Sequence, residues 1–373
     1  MSSPARDAVA RMLARADVAL DGDRPWDMRV HDERFFERVL AGGSLALGES
    51  YMDGWWDVER LDEFVYRTRR VRLDRDLRYD WRTLWLAARS RLINRQNPRR
   101  APEVAERHYD LDHELFEAML DPRMVYTCGY WKDAGTLAEA QVAKMDLVCR
   151  KLGLQPGDRV LDIGCGFGSF ARYAAETYGA RVTGISLSKG QTAWAHEHLP
   201  SGLPVEIRVQ DYREVDERFD HVASIGMFEA VGWRNFRAYM EVIDRVLAED
   251  GLFVLQTFGT GVSVKRSDPW FDKYIFPNGM IPSIEQIGRA VGDLLVMEDW
   301  HNFGADYDRT LMAWHANVEA AWDRLPARYD ERFRRMWRYY LLSLAGAFRA
   351  RTVQLWQIVF SRRGVPGGHA TVR

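Results

Sequence analysis

The residues whose types and spacing could do chemistry are gathered in Val160-Leu161-Asp162-Ile163-Gly164-Cys165-Gly166-Phe167-Gly168-Ser169-Phe170. An aliphatic run ends in a glycine turn, and residues 171–178, closed by Gly179, read as a helix. Strand, glycine turn and helix together let backbone N–H groups approach a nucleotide-like ligand at a helix N-terminus. Two details choose the ligand. Gly164, Gly166 and Gly168 form G-x-G-x-G behind Asp162, not the G-x-G-x-x-G of dinucleotide folds. The next strand, residues 180–185, runs into Ser186-Leu187-Ser188, without the acid that holds an NAD ribose. A methionine-derived cofactor with a positive sulfonium and no phosphate fits this pattern better. The competing reading is a purely structural glycine turn.

In open α/β sheets ligands lie beyond the carboxyl ends of the strands, so the residues just past each strand are the ones to inspect. After the second strand, Ser186, Leu187, Ser188 and Gln191 offer hydroxyl, amide and backbone groups for a ribose and a methionine portion. Asp211 and Tyr212 follow the third, an acid and an aromatic suited to adenine. Past the fourth lies Glu229, flanked by Met227, Phe228, Ala230 and Val231. A carboxylate in such surroundings is desolvated unless it finds a partner. Gln256, at the end of the neighbouring strand, is a candidate partner, and a helix-cap carboxylate is the plainer alternative. His108, His196, His198, His301 and His315 lack metal-ligand spacing, so no metal site is expected. Serine-hydrolase and P-loop patterns are missing.

The elements that must position these residues follow from periodicity. Strands at 160–163, 182–185, 205–209, 221–225 and 252–257 alternate with helices such as 191–198 and 236–247. That is an α/β fold with a Rossmann-like, doubly wound parallel sheet. Later strands at 294–298 and 355–360 could close it, around helices at 308–322 and 330–350. Upstream, residues 1–100 read as a smaller, mainly helical N-terminal domain, and 101–373 as the catalytic domain. Val9, Met12, Leu13 and Ala16 share one helical face, as do Phe35, Phe36, Val39 and Leu40. Residues 45–56 read as a compact, turn-rich piece. From Tyr66 to Arg100 there are 12 Arg and 3 Asp, a balance of +9, interleaved with Trp81, Leu84, Trp85 and Ile93. Such a stretch suits an interfacial helix on an anionic bilayer, a nucleic-acid surface, or a solvated face with a packed stripe behind it. Residues 94–102 read as a linker, and His108-Tyr109-Asp110 and residues 121–131 are more polar and aromatic than packing needs. The whole chain of 373 residues carries a net charge of only −2, which selects no partner. Its three cysteines, Cys128, Cys149 and Cys165, suit reduced thiols in a cytoplasm. No apolar run approaches the ~18 residues of a membrane span, so a soluble protein is expected.

With these residues in hand, the chain resembles the cyclopropane-fatty-acyl-phospholipid synthases, in the long bacterial form with an added N-terminal domain. The similarity runs over nearly the whole chain and is most specific at residues 48–56, 160–168, 272–279, 297–308 and 346–351. It implies a class I S-adenosylmethionine-dependent methyltransferase fold. It implies transfer of a methylene to the cis double bond of an unsaturated acyl chain within a phospholipid. In the family the alkene attacks the sulfonium methyl, and bound bicarbonate deprotonates the resulting carbocation so that the ring closes. The residues holding bicarbonate map to Cys128, Glu229, Gln256, Tyr307 and the backbone of Phe258. The cofactor contacts map to Tyr126, Thr127, Gly164, Gly166, Ser186, Leu187, Ser188, Gln191 and Tyr212. The resemblance further implies a homodimer; the basic stretch at 66–100 is then expected to dock the chain peripherally on the inner membrane face, with anionic lipid favoured and no nucleic-acid partner. Two positions depart from the family: Gln256 stands where it usually has a histidine, and Leu344 where it often has a cysteine. An amide can donate but cannot titrate. The alternatives are therefore a C-methyltransferase giving a methyl-branched lipid or another small-molecule product, and an inactive membrane-binding paralogue.

Overall fold

The computed structural model describes residues 3–73 and 113–373. The linker expected at 94–102, His108-Tyr109-Asp110, most of the basic stretch and the boundary near residue 100 lie outside the described residues. What is described packs into two compact units. The first joins residues 3–73 to Ser267–Pro277 and Tyr307–Val353; the second holds residues 113–266, Asn278–Asp306 and Gln354–Arg373. A cut into 1–100 and 101–373 does not anticipate this grouping, in which two later segments pack with the N-terminal helices.

In the first unit, α1 (Pro4–Ala14) and α2 (Arg34–Met52) precede α3 (Leu61–Arg70). A small antiparallel pair, β1 (Arg29–Val30) and β2 (Trp56–Asp57), lies between them. Helix α2 bends at Gly43, whose φ of 57° only glycine adopts readily. Residues 45–52, expected as a turn-rich piece, are helical: their glycine is a packing residue and not a breaker. A Cβ on Gly48 would lie 2.3 Å from the Trp270 indole. Trp270 belongs to α9 (Pro269–Tyr274), and the same face is tied by Glu49, which accepts from Lys273 and Tyr274. Buried Trp56 is ringed by Phe35, Tyr51 and Phe64. Helices α11 (Ala305–Ala321) and α12 (Glu331–Arg349) complete the unit, where Arg349 binds Asp308 and buried Asp62.

The second unit is built on a seven-stranded sheet of order β5-β4-β3-β6-β7-β9-β8. Its strands are β3 (Arg159–Ile163), β4 (Arg181–Ser186), β5 (Val205–Val209), β6 (Phe219–Ile225), β7 (Leu247–Gly259), β8 (Val296–Asn302) and β9 (Gln354–Ser361). The first five are parallel, with α6 (Ser169–Tyr178), α7 (Lys189–His198) and α8 (Phe236–Val246) among the crossovers. The five strands expected to be parallel are so, and the two late strands close one edge, where β9 pairs antiparallel with both β7 and β8. Helices α11 and α12 lead from β8 to β9 without making a parallel crossover, so the returning strand runs the opposite way. Alternate residues of the central strands feed two cores, Leu161, Val222 and Leu255 on one face and Val160, Ala223 and Val254 on the other. The chain leaves β3 toward β4 and returns to β6 on its other flank. That reversal opens a crevice at the strands' carboxyl ends.

Candidate cofactor cavity and catalytic acid

The crevice holds a cavity of about 200 Å³. One wall is the glycine turn after β3, where Gly164, Gly166 and Gly168 all have positive φ. Close approach demands glycine at the first of these, since a Cβ on Gly164 would lie 2.6 Å from Met227. Gly226 is likewise pressed against Thr127, 2.9 Å from where its Cβ would sit. Ser186, Leu187, Ser188 and Gln191 form the wall after β4, with Ser188 capping α7 through its hydroxyl. Tyr212 and Met227 close the third side.

Most residues expected to hold the cofactor therefore line one cavity: Tyr126, Thr127, Asp162, Gly164, Gly166, Ser186, Leu187, Ser188, Gln191 and Tyr212. Two do not. Gly168 is the N-cap of α6. Asp211 is spent on Arg213, which grips it with two side-chain bonds of 2.5 and 2.8 Å, and it is Arg213 and Gln210 that face the cavity.

A lysine that sequence reasoning passed over also lines the cavity. Lys144 lies on α5 (Leu137–Leu152), fully enclosed, and donates to the Thr127 hydroxyl at 2.9 Å. Burial lowers its pKa to about 8, against attraction from Asp121, Cys128 and Asp162. Its signal was legible: Gln141, Lys144, Met145, Val148, Cys149 and Lys151 recur at helical spacing on the buried face, where lysine is out of place. From the same face Gln141 donates to the Thr127 carbonyl at 2.7 Å, and the Ala140 carbonyl accepts from Tyr130. Helix α5 thus fixes the loop that presents Tyr126, Thr127 and Cys128.

Asp162 is buried with its Oδ2 unpartnered, and burial raises its carboxyl to about 7, with Lys144 pulling the other way. Glu229 sits in a short 3₁₀ turn, Phe228–Ala230, just past β6. The residue is half-buried with its Oε2 enclosed, and this desolvation raises its pKa. Its Oε1 accepts from the Phe258 N–H at 2.5 Å and the Thr257 hydroxyl at 3.0 Å, while Oε2 has no partner. Two expectations are corrected here. Gln256 is not a partner of Glu229, whose Oε1 is held by Phe258 and Thr257 and whose Oε2 has no partner; the Gln256 side-chain carbonyl accepts from Gln357 of β9 at 2.8 Å. The Phe258 N–H, expected at bicarbonate, is directed at the carboxylate instead. Buried Cys128 places its Sγ 3.1 Å from the Gly129 carbonyl. Tyr307 belongs to the first unit, at the start of α11, with its ring on Phe348 and Trp314. Leu344 is buried in α12.

Comparison with known proteins gives consistent matches. Residues 96–358 match the family described as mycolic acid cyclopropane synthetase. The cyclopropane-fatty-acyl-phospholipid synthase of Escherichia coli K12 is 50% identical over 362 residues, covering 97% of this chain and 94% of its own. The solved cyclopropane synthase MmaA2 from Mycobacterium tuberculosis superposes with a TM-score of 0.65 at 29% identity, over 69% of this chain and 97% of that one. Mycolic acid cyclopropane synthase CmaA1, solved with SAH and CTAB, gives 0.62 at 30% identity over the same shares.

Proposed function

Because the chain belongs to the mycolic acid cyclopropane synthetase family, we propose that it transfers a methylene from S-adenosylmethionine to the cis double bond of an unsaturated phospholipid acyl chain. It is an S-adenosylmethionine-dependent methyltransferase and a lipid cyclopropane synthase. The observation that carries the reading is the cavity itself, which runs from the glycine turn to the segment bearing Glu229.

The residues present fit both small molecules. Asp162 Oδ2 is an orphaned acceptor in the cavity, and the cofactor brings an ammonium group and ribose hydroxyls to satisfy it. Tyr212 offers a ring face for adenine, and Gly164 and Gly166 leave the backbone bare. S-adenosylmethionine supplies the one-carbon unit as an electrophilic methyl on positive sulfur. The chain's own contribution is positioning: an alkene is a weak nucleophile and reacts only when held in contact and in line. It also excludes water, which would capture a carbocation. The orphaned Glu229 Oε2 suits a donor such as the O–H of bicarbonate. Cys128 and Gln256, which share the second unit with Glu229, are assigned with it to the bicarbonate site. There Glu229 orients the base, and the Phe258 N–H and Thr257 hydroxyl lock Glu229 in one rotamer.

The substrate lies in a bilayer, and among the described residues no helix is long and apolar enough to cross one. The basic N-terminal segment, +9 over residues 66–100, serves as the docking element on anionic lipid.

The test is mass spectrometry of fatty acids after incubating the purified chain with S-adenosylmethionine and monounsaturated phospholipid vesicles, with and without bicarbonate. The expected product gains one CH₂ and loses its double bond, resolved as a ring, with turnover depending on bicarbonate. A methyl-branched product would move the assignment to a C-methyltransferase. Cofactor binding without any product would mark an inactive paralogue.

A further inference from the structure

Beyond the strand end that holds Glu229, the chain carries an apolar and cationic surface that the chemistry leaves unused. After β7 ends at Gly259, the Thr260 N–H binds the Pro282 carbonyl, and Ser263 meets Ser283 and Glu285 at 2.7 Å. The Val264 carbonyl accepts from Gln286 at 3.0 Å. These bonds seat residues 260–264 on the start of α10 (Ile284–Val291). Val262 and Ile284 are thereby held out into solvent, 51% and 55% exposed. Trp233 stands beside them at 36% exposure, with the Lys265 ammonium 5.0 Å and the Arg234 guanidinium 5.3 Å from its ring. The acid in this neighbourhood, Glu285, is paired with Arg289 at 2.7 Å. The Met280 N–H donates to the Glu229 carbonyl at 2.9 Å, so this surface is continuous with the segment bearing the acid.

Exposed large apolar side chains are normal when scattered and informative when contiguous. Here a tryptophan carries a cation from the segment that also exposes Val262, and that segment is hydrogen-bonded to the helix start that exposes Ile284. An indole sits well at the headgroup level, aliphatic side chains enter the acyl boundary, and lysine and arginine face anionic headgroups.

We propose that Trp233, Val262 and Ile284, with Arg234 and Lys265, form a second docking surface that seats the Glu229 end of the sheet on an anionic bilayer. The proposal rests on the lipid-substrate reading and adds to it the surface by which the catalytic unit meets the lipid.

The experiment uses the full chain and sedimentation with vesicles of dioleoyl phosphatidylglycerol or dioleoyl phosphatidylcholine. Val262→Asp/Ile284→Asp should lower binding to the anionic vesicles about tenfold or more, with titration by S-adenosylhomocysteine unchanged. Lys265→Glu should lower it about fivefold or more and leave the weaker binding to the neutral vesicles alone. Wild-type binding by both variants overturns the proposal. Should the aspartate pair also lose cofactor binding, Lys265→Glu decides: unchanged anionic binding overturns, selective loss supports. Self-association that the aspartate pair abolishes, without any change in vesicle binding, also overturns it in favour of a second copy of the chain. Ring formation is scored separately. A ring made by wild type with variants that bind normally sinks only the docking surface; patch-dependent binding without a ring sinks only the enzymatic reading.

Discussion

Asp162 and Lys144 face the cofactor cavity, and their charge states tie stability to pH. An aspartate in the unfolded chain titrates at about 3.9, whereas burial holds the native Asp162 carboxyl up at about 7. Between those values the native state keeps a proton that the unfolded chain has lost. Stability therefore falls as pH rises from about 4 to 7, and the penalty is complete above 7. Lys144, lowered to about 8 by burial, gives the opposite slope: stability returns as pH rises from 8 toward the unfolded value. Asp162→Asn keeps the shape and removes the first slope. Urea unfolding should show the variant gaining on wild type by on the order of 3 kcal/mol between pH 4 and pH 8; a pH-independent difference would refute the assignment. The sequence already marked Asp162, by its place before the glycines, and Glu229, by its apolar flanks. The partner of Glu229 was not legible, because a backbone N–H leaves no mark in residue type. Gln256 advertised an amide, but which carboxylate or amide it meets depends on β9, whose direction and register local spacing does not fix.

At the level of elements, Gly48 and Gly346 inside the family-specific stretches are packing devices. A Cβ on Gly346 of α12 would lie 2.5 Å from the Asp62 carbonyl and 2.8 Å from the Tyr66 backbone nitrogen on α3. Those are main-chain atoms, so the helices must separate. Alanine gains about 1 kcal/mol in helix propensity, but overpacking a tight contact costs about 1–3 kcal/mol, and with main-chain atoms as neighbours the clash wins. Gly346→Ala should lower the melting temperature. Gly288→Ala in α10, where nothing lies within 4 Å, should raise it. If both variants shift upward, the α3–α12 contact is looser than described. Helix periods and the parallel strands were readable because apolar spacing repeats locally. The grouping of Ser267–Pro277 and Tyr307–Val353 with the N-terminal helices was not, since such contacts join residues more than 200 apart, as in Glu49 with Lys273.

For the molecule as a whole, charge is local and not global. A net charge of −2 offers no attraction to an anionic surface, so the proposed docking would draw on the +9 of residues 66–100 and on the cations around Trp233. The two surfaces differ in kind. Arginines acting through solvent are screened once the Debye length shrinks from about 10 Å at 0.1 M salt to about 3 Å at 1 M. Val262 and Ile284 act by leaving water, which salt does not weaken. Binding to anionic vesicles should therefore fall by about tenfold or more over that salt range and level off at a residue that Val262→Asp/Ile284→Asp removes. Salt-independent binding would show that the basic segment takes no part. Complete loss at high salt would show that the apolar side chains do not enter the bilayer. The same titration thus apportions the proposed membrane attachment between the basic N-terminal segment and the apolar surface of the catalytic unit.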